Sequence, residues 1–233
     1  MTEGLARDEI CRVGRSLFER GYVHSTAGNI SVRLDAEEGD GYLITPTDSC
    51  LGFLEPSRLA LLDREGNQVS GDRASKAFVL HRRIYQATVG TKSPAGCVIH
   101  THSTHCVALT MRGAGHYFLG PGAEQELLSP LTPYFVMKVG HVPVIPYFRP
   151  GDPAAAEQVV STIRRYQSRG TPVRAVMLER LGPNVWHDQP AAAMATLEEL
   201  EESAHLACLS MQDTAPLADQ DLQKLRAAFA ANW

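Results

Sequence analysis

Three histidines stand close together, His100, His102 and His105, directly after the apolar run Cys97, Val98, Ile99. His100 and His102 are two apart. On a strand that spacing puts both imidazoles on one face, where they can share one divalent ion. Neutral imidazole suits zinc, iron, copper or nickel better than magnesium. The pair also reads as two side chains at a strand end that hydrogen-bond backbone groups, and the residues alone leave both readings open. His105 falls about one helical turn further on, where a supporting or packing role suits it better than ligation.

Other polar groups carry weaker signals. The stretch Ala27, Gly28, Asn29, Ile30, Ser31 and the turn Thr45, Pro46, Thr47, Asp48, Ser49 can present N–H and hydroxyl groups to an anion, although each is more often an ordinary turn. Ser75 and Lys76 open a helix, and their hydroxyl and ammonium beside a helix N-terminus suit a phosphate or carboxylate. Helix capping is the other role open to Ser75. The acidic run Glu198, Glu199, Glu201, Glu202 reads as a solvated helix face.

The elements that must position these residues follow from periodicity. Ile10, Val13, Leu17 and Phe18 predict a helix over 7–21. Strands are predicted at Ile30–Leu34, Tyr42–Ile44, Cys97–His100, Val142–Pro146 and Ala175–Leu178, with Pro143 and Pro146 placing the fourth at an edge. Gly66 and Asn67, between Leu62 and Val69, signal a hairpin. Further helices are expected over 75–87, 105–111, 152–169 and 191–209, and the tail from Asp213 onward is polar and weakly helical. The chain reads as one domain, an α/β sandwich.

Composition excludes several classes. The 233 residues carry 22 Lys and Arg against 26 Asp and Glu, a net charge of −4 without basic clusters. A nucleic-acid binder that neutralises phosphates would show a basic excess. No apolar run approaches the roughly 18 residues that span a membrane. The first twenty residues are charged throughout, unlike a signal peptide, so the cytoplasm is the expected compartment. Five cysteines without a CxxC pair read as reduced and mostly buried.

Six ordered blocks resemble the class II aldolase/adducin family, and within it the 3-oxo-tetronate 4-phosphate decarboxylases. They are residues 25–34, 44–52, 98–109, 130–137, 144–152 and 195–204, and the likeness covers about 8–210. The resemblance implies a single α/β/α layered domain with a mostly antiparallel sheet, assembled as a homotetramer with sites between subunits. It also implies a divalent metal, commonly zinc and alternatively iron or manganese, held by three histidines beside a glutamate. His100 and His102 match the first two metal histidines. Tyr134 lies in the block that carries the proton-transfer tyrosine, which serves a neighbouring subunit. Asn29, Thr47, Ser75 and Lys76 fall where the family binds the anionic end of a small-molecule substrate.

Three positions depart from the pattern. Ala77 stands where the catalytic glutamate is expected, Leu181 replaces the third metal histidine, and Asp48 replaces a glycine. Two histidines alone hold zinc weakly, alanine cannot carry a proton, and a carboxylate at 48 opposes a phosphate dianion. Replacement ligands offered by the sequence are His187, Asp48 and Glu179, and the proton sources left are Tyr134, His105 and metal-bound water. The expected function is a metal-dependent carbon–carbon lyase on a small oxo- or hydroxy-acid. The alternatives are a non-catalytic, adducin-like binding or assembly module and a non-haem iron oxygenase on the same fold.

Overall fold

Val98 packs into one helical layer and its neighbour Ile99 into the other, and this alternation organises the whole chain. The computed structural model describes residues 1–35, 37, 40–210 and 214–233. In chain order the elements are α1 (Glu3–Glu19), β1 (Asn29–Arg33), β2 (Tyr42–Ile44), β3 (Ala60–Leu62), β4 (Gln68–Ser70), α2 (Phe78–Thr88), β5 (Cys97–His100) and α3 (Thr104–Thr110). Next come β6 (Phe118–Leu119), β7 (Gln125–Glu126), a π-helical turn (Phe135–Val139), β8 (Val144–Ile145), α4 (Pro153–Ser168), β9 (Ala175–Leu178), β10 (Gly182–His187), α5 (Pro190–Leu209) and α6 (Asp219–Phe229).

Eight strands form the central sheet in the order β4-β3-β2-β1-β5-β10-β9-β8. Its pairs are antiparallel except β8 with β9, which run parallel, so the sheet is mixed and mostly antiparallel. Helices α1, α3 and α5 cover one face through Ile10, Leu17, Cys106, Leu197 and Leu200. Helices α2 and α4 cover the other through Ile84, Tyr85, Val159 and Ile163. The inner strands β5 and β9 are buried at every position, which is why they read as continuous apolar runs. Among the described residues no helix is long and apolar enough to cross a membrane.

The hairpin at Gly66 and Asn67 forms between β3 and β4. Two expected elements are shorter than their sequence pattern. The strand at 142–146 is reduced to Val144–Ile145 at the sheet edge, because the flanking Pro143 and Pro146 have no N–H to donate. The helix expected from Ser75 begins at Phe78. Strand β10 was not expected; it opens on Gly182 and Pro183, residues that favour turns. The acidic run is also corrected: Glu201 is buried and accepts hydrogen bonds from the N–H groups of His105 and Cys106 at 2.9 and 3.0 Å, capping α3.

Candidate functional site

β5 ends at His100, flanked by antiparallel neighbours on both sides. Asn29 of β1 and Asn184 of β10 both pair with His100. Residues paired across antiparallel strands project from the same face. Asn29, His100 and Asn184 therefore form a polar row across three strands, on the face covered by α2 and α4. The next row on that face is Ser31, Val98 and Trp186.

Two glycines bring the backbone close around this row. At Gly28, with φ +87°, a Cβ would lie 2.9 Å from the His100 carbonyl oxygen. At Gly182, with φ +140°, it would lie 1.9 Å from the Thr101 carbonyl oxygen. Only glycine permits both approaches.

The Nδ1–H of His100 donates to the Pro183 carbonyl at 2.9 Å. That bond fixes the tautomer and leaves Nε2 with a free lone pair, as in metal-bound imidazoles. The ring of His102 stands edge-on to it, with centroids 5.2 Å apart. Burial, and then His102, push the His100 pKa down to about 4. Burial, and then His24, lower that of His102. Both imidazoles are thus held neutral at pH 7, the state in which they bind cations.

His81 of α2, which the sequence did not single out, completes this face. Its Nδ1 is 2.8 Å from the Ser31 hydroxyl, which also bonds the Tyr85 hydroxyl at 2.8 Å. Burial, and then His100, lower the His81 pKa to about 3. Four side chains of this face keep buried polar atoms without a hydrogen-bond partner among the described residues: Asn29 Oδ1, His81 Nε2, both carboxamide atoms of Asn184, and Trp186 Nε1.

Thr47, Ser75 and Lys76, expected at an anion's end of the site, form a second group. The Thr47 N–H donates to the Arg73 carbonyl at 2.8 Å and the Ser75 N–H to the Thr45 carbonyl at 3.2 Å. Those two backbone donors are spent on joining the loops. Ser75 Oγ accepts from the Ala77 N–H at 3.3 Å, and Lys76 is exposed. Thr47 and Asp48 line a recess of about 510 Å³ with Arg58 and Arg73. Asp48 has φ +56°, the left-handed conformation that explains a glycine there in the family pattern.

Both imidazoles fit a divalent cation in charge and His100 also in tautomer, and Leu181 supplies no third. Leu181 packs against the apolar cluster of this face. Among the described residues no group of three or more His, Cys, Asp or Glu is placed to hold a metal. Of the replacement ligands offered by sequence, Asp48 lines the recess with Arg58 and Arg73, Glu179 is engaged and His187 is distant. Glu179 accepts from the Tyr117 hydroxyl at 3.2 Å and the Tyr147 N–H at 3.0 Å. His187 pairs with Cys97, at the opposite end of β5 from His100 and on the opposite face. His105 is held by Glu201 and stacks on His205 at 4.2 Å, beneath α5 and off the site. Tyr134 is 61% exposed and precedes the π-helical turn, whose Phe135 and Val139 pack into the α1, α3, α5 layer.

Comparison with known proteins agrees with this architecture. The family described as the class II aldolase and adducin N-terminal domain matches residues 8–208. The 3-oxo-tetronate 4-phosphate decarboxylase of Cupriavidus necator is 49% identical over 238 residues, covering 100% of this chain and 99% of that protein. The protein of the same name from Pectobacterium atrosepticum is 39% identical, over 88% of this chain and 84% of its own. The crystal structure of YgbL from Escherichia coli superposes with a TM-score of 0.78 at 33% identity, covering 96% of this chain and 99% of that one.

Proposed function

The chain belongs to the class II aldolase and adducin family, and from that premise we propose that it is a carbon–carbon lyase decarboxylating a small phosphorylated 3-oxo acid. The observation that carries this reading is the end-to-end 49% identity with a protein named for that reaction. The neutral His100 and His102 pair, one imidazole oriented by Pro183, supports it.

Loss of carboxylate from a 3-oxo acid sends the C–C bonding pair toward the ketone oxygen. The resulting enolate must be stabilised and then protonated on carbon. A divalent cation held by His100 and His102, zinc first and iron or manganese as alternatives, supplies Lewis-acid stabilisation of that oxygen when bound. Asn29 Oδ1, buried and open, accepts a substrate hydroxyl. Lys76, Ser75 and Thr47 take the phosphate with side-chain groups; in the recess beside Thr47, Arg58 is paired with Asp72 and Glu55, which leaves Arg73 to offset Asp48. Ala77 holds no proton and His105 is committed to Glu201, so among the expected side chains protonation falls to Tyr134. In this reading Tyr134, exposed beside a turn that packs in the layer opposite His100, serves a neighbouring copy of a homotetramer. Loss of a positioned acid or base typically costs about 10²–10⁴-fold in rate, and turnover is accordingly slow.

A second reading, a non-catalytic binding or assembly module, is favoured by Ala77 and Leu181. Incubation with 3-oxo-tetronate 4-phosphate and, separately, L-fuculose 1-phosphate separates the readings. Decarboxylation of the first that is lost in His100→Ala supports the lyase. Cleavage of the second alone makes the protein an aldolase, and turnover of neither favours the module.

A further inference from the structure

We propose that the carboxamide oxygen of Asn184 is the third donor of the cation site, standing in for the histidine that position 181 lacks. This rests on the reading that His100 and His102 hold a divalent cation. Asn184 lies directly across from His100 on the adjacent strand and projects from the same face. Its cross-strand neighbour on the other side is Val176, which offers nothing polar. The residue is 1% exposed, and neither Oδ1 nor Nδ2 has a hydrogen-bond partner among the described residues.

Buried carboxamides are normally satisfied, and a leucine of similar size would suit a wall made by Val176 and Trp186. An open carboxamide here points to a ligand. The neighbouring groups say of which charge. His100 presents the Nε2 lone pair, because its Nδ1–H is spent on Pro183. Asn29 Oδ1 and Asn184 Oδ1 add two more open lone pairs in the same row. These open lone pairs suit a cation, while the open donors of the same face, Asn184 Nδ2 and Trp186 Nε1, suit oxygen atoms of a ligand beside it. Two imidazoles and an amide oxygen form a mixed nitrogen and oxygen set, suited to manganese, iron or cobalt as well as zinc. All three donors are neutral, so the ion keeps its full charge toward an anionic acid at its remaining positions.

Titration with Co²⁺, followed by calorimetry and visible absorption, tests the assignment without any turnover. The native protein should take up one Co²⁺ per chain. Asn184→Leu should lower the affinity tenfold or more and alter the visible bands, while its thermal midpoint stays equal or rises. Asn184→Asp should bind at least as tightly as the native protein. Native protein that takes up no Co²⁺, or Asn184→Leu binding with native affinity and spectrum, overturns the proposal. Asn184-dependent uptake in a protein without lyase activity removes the lyase reading and leaves this assignment standing. Lyase turnover with an unaltered Asn184→Leu titration does the reverse.

Discussion

Gly182 passes the carbonyl of Thr101 so closely that a Cβ at 182 would lie 1.9 Å from that oxygen and 3.2 Å from the His102 Cα. This contact seats the start of β10 against the segment linking His100 to His102. It also places Pro183, whose carbonyl holds the His100 ring. The turn that carries Leu181 is thereby held against that segment.

Gly182→Ala must separate these backbones and force alanine into a φ of +140°, which alanine avoids. The expected loss is about 2 kcal/mol or more, read as a fall in the urea midpoint. Gly4→Ala, in α1 with nothing within 4 Å of the added carbon, is the control and should be neutral or mildly stabilising. Equal midpoints for the two variants would show that the close approach is not required.

Leu181→His should restore a third imidazole. Arg180 already holds the left-handed φ of +61° that precedes it, tied by its N–H to the Thr110 hydroxyl at 2.9 Å. Zinc affinity should rise at least about tenfold, because the site then has the usual number of protein ligands. Calorimetry on the native and variant proteins decides it, and no gain would mean that the turn does not face the His100 and His102 pair.

Protonation of His81 should cost stability. Its pKa falls from the ordinary 6.5 to about 3 on burial, so below about pH 6.5 the unfolded chain binds the proton and the folded chain does not. The stability it contributes is present above pH 6.5 and is lost as the pH falls toward 3. His100, lowered to about 4, acts in the same direction. The thermal midpoint should drop from pH 7 to pH 4, and His81→Gln should flatten the slope. An unchanged slope in that variant would rule His81 out as a source.

Glu201→Ala should uncap α3. It removes the acceptor for the N–H groups of His105 and Cys106 and for the His105 ring. Losses near 1–2 kcal/mol are typical of such caps. Glu202→Ala, on the exposed side of α5, should change the unfolding midpoint little, and equal effects would contradict the capping role.

Much of this was legible in the sequence, for identifiable reasons. β5 and β9 stand at their predicted residues because unbroken apolar runs flanked by turn residues leave little ambiguity. β10 escaped because Gly182 and Pro183 are turn formers. Their use here is a close approach and a carbonyl for His100, which only the fold reveals. With β10 unread, Asn184 could not be placed beside His100, although an asparagine just before the apolar pair Val185 and Trp186 is a usable signal for it. Glu201 looked like one charge in a solvated run, because linear sequence does not show that α3 begins beneath it. His187 and Glu179 were reasonable ligand candidates by type; His187 fails by position, and Glu179 is taken by Tyr117 and Tyr147.

The most direct test of the lyase reading is CO₂ release from 3-oxo-tetronate 4-phosphate by the native protein supplied with zinc, compared with His100→Ala under the same conditions. The account predicts slow, enzyme-dependent release that falls at least about 100-fold in the variant. Equal rates for the two proteins, both at the uncatalysed level, would contradict it.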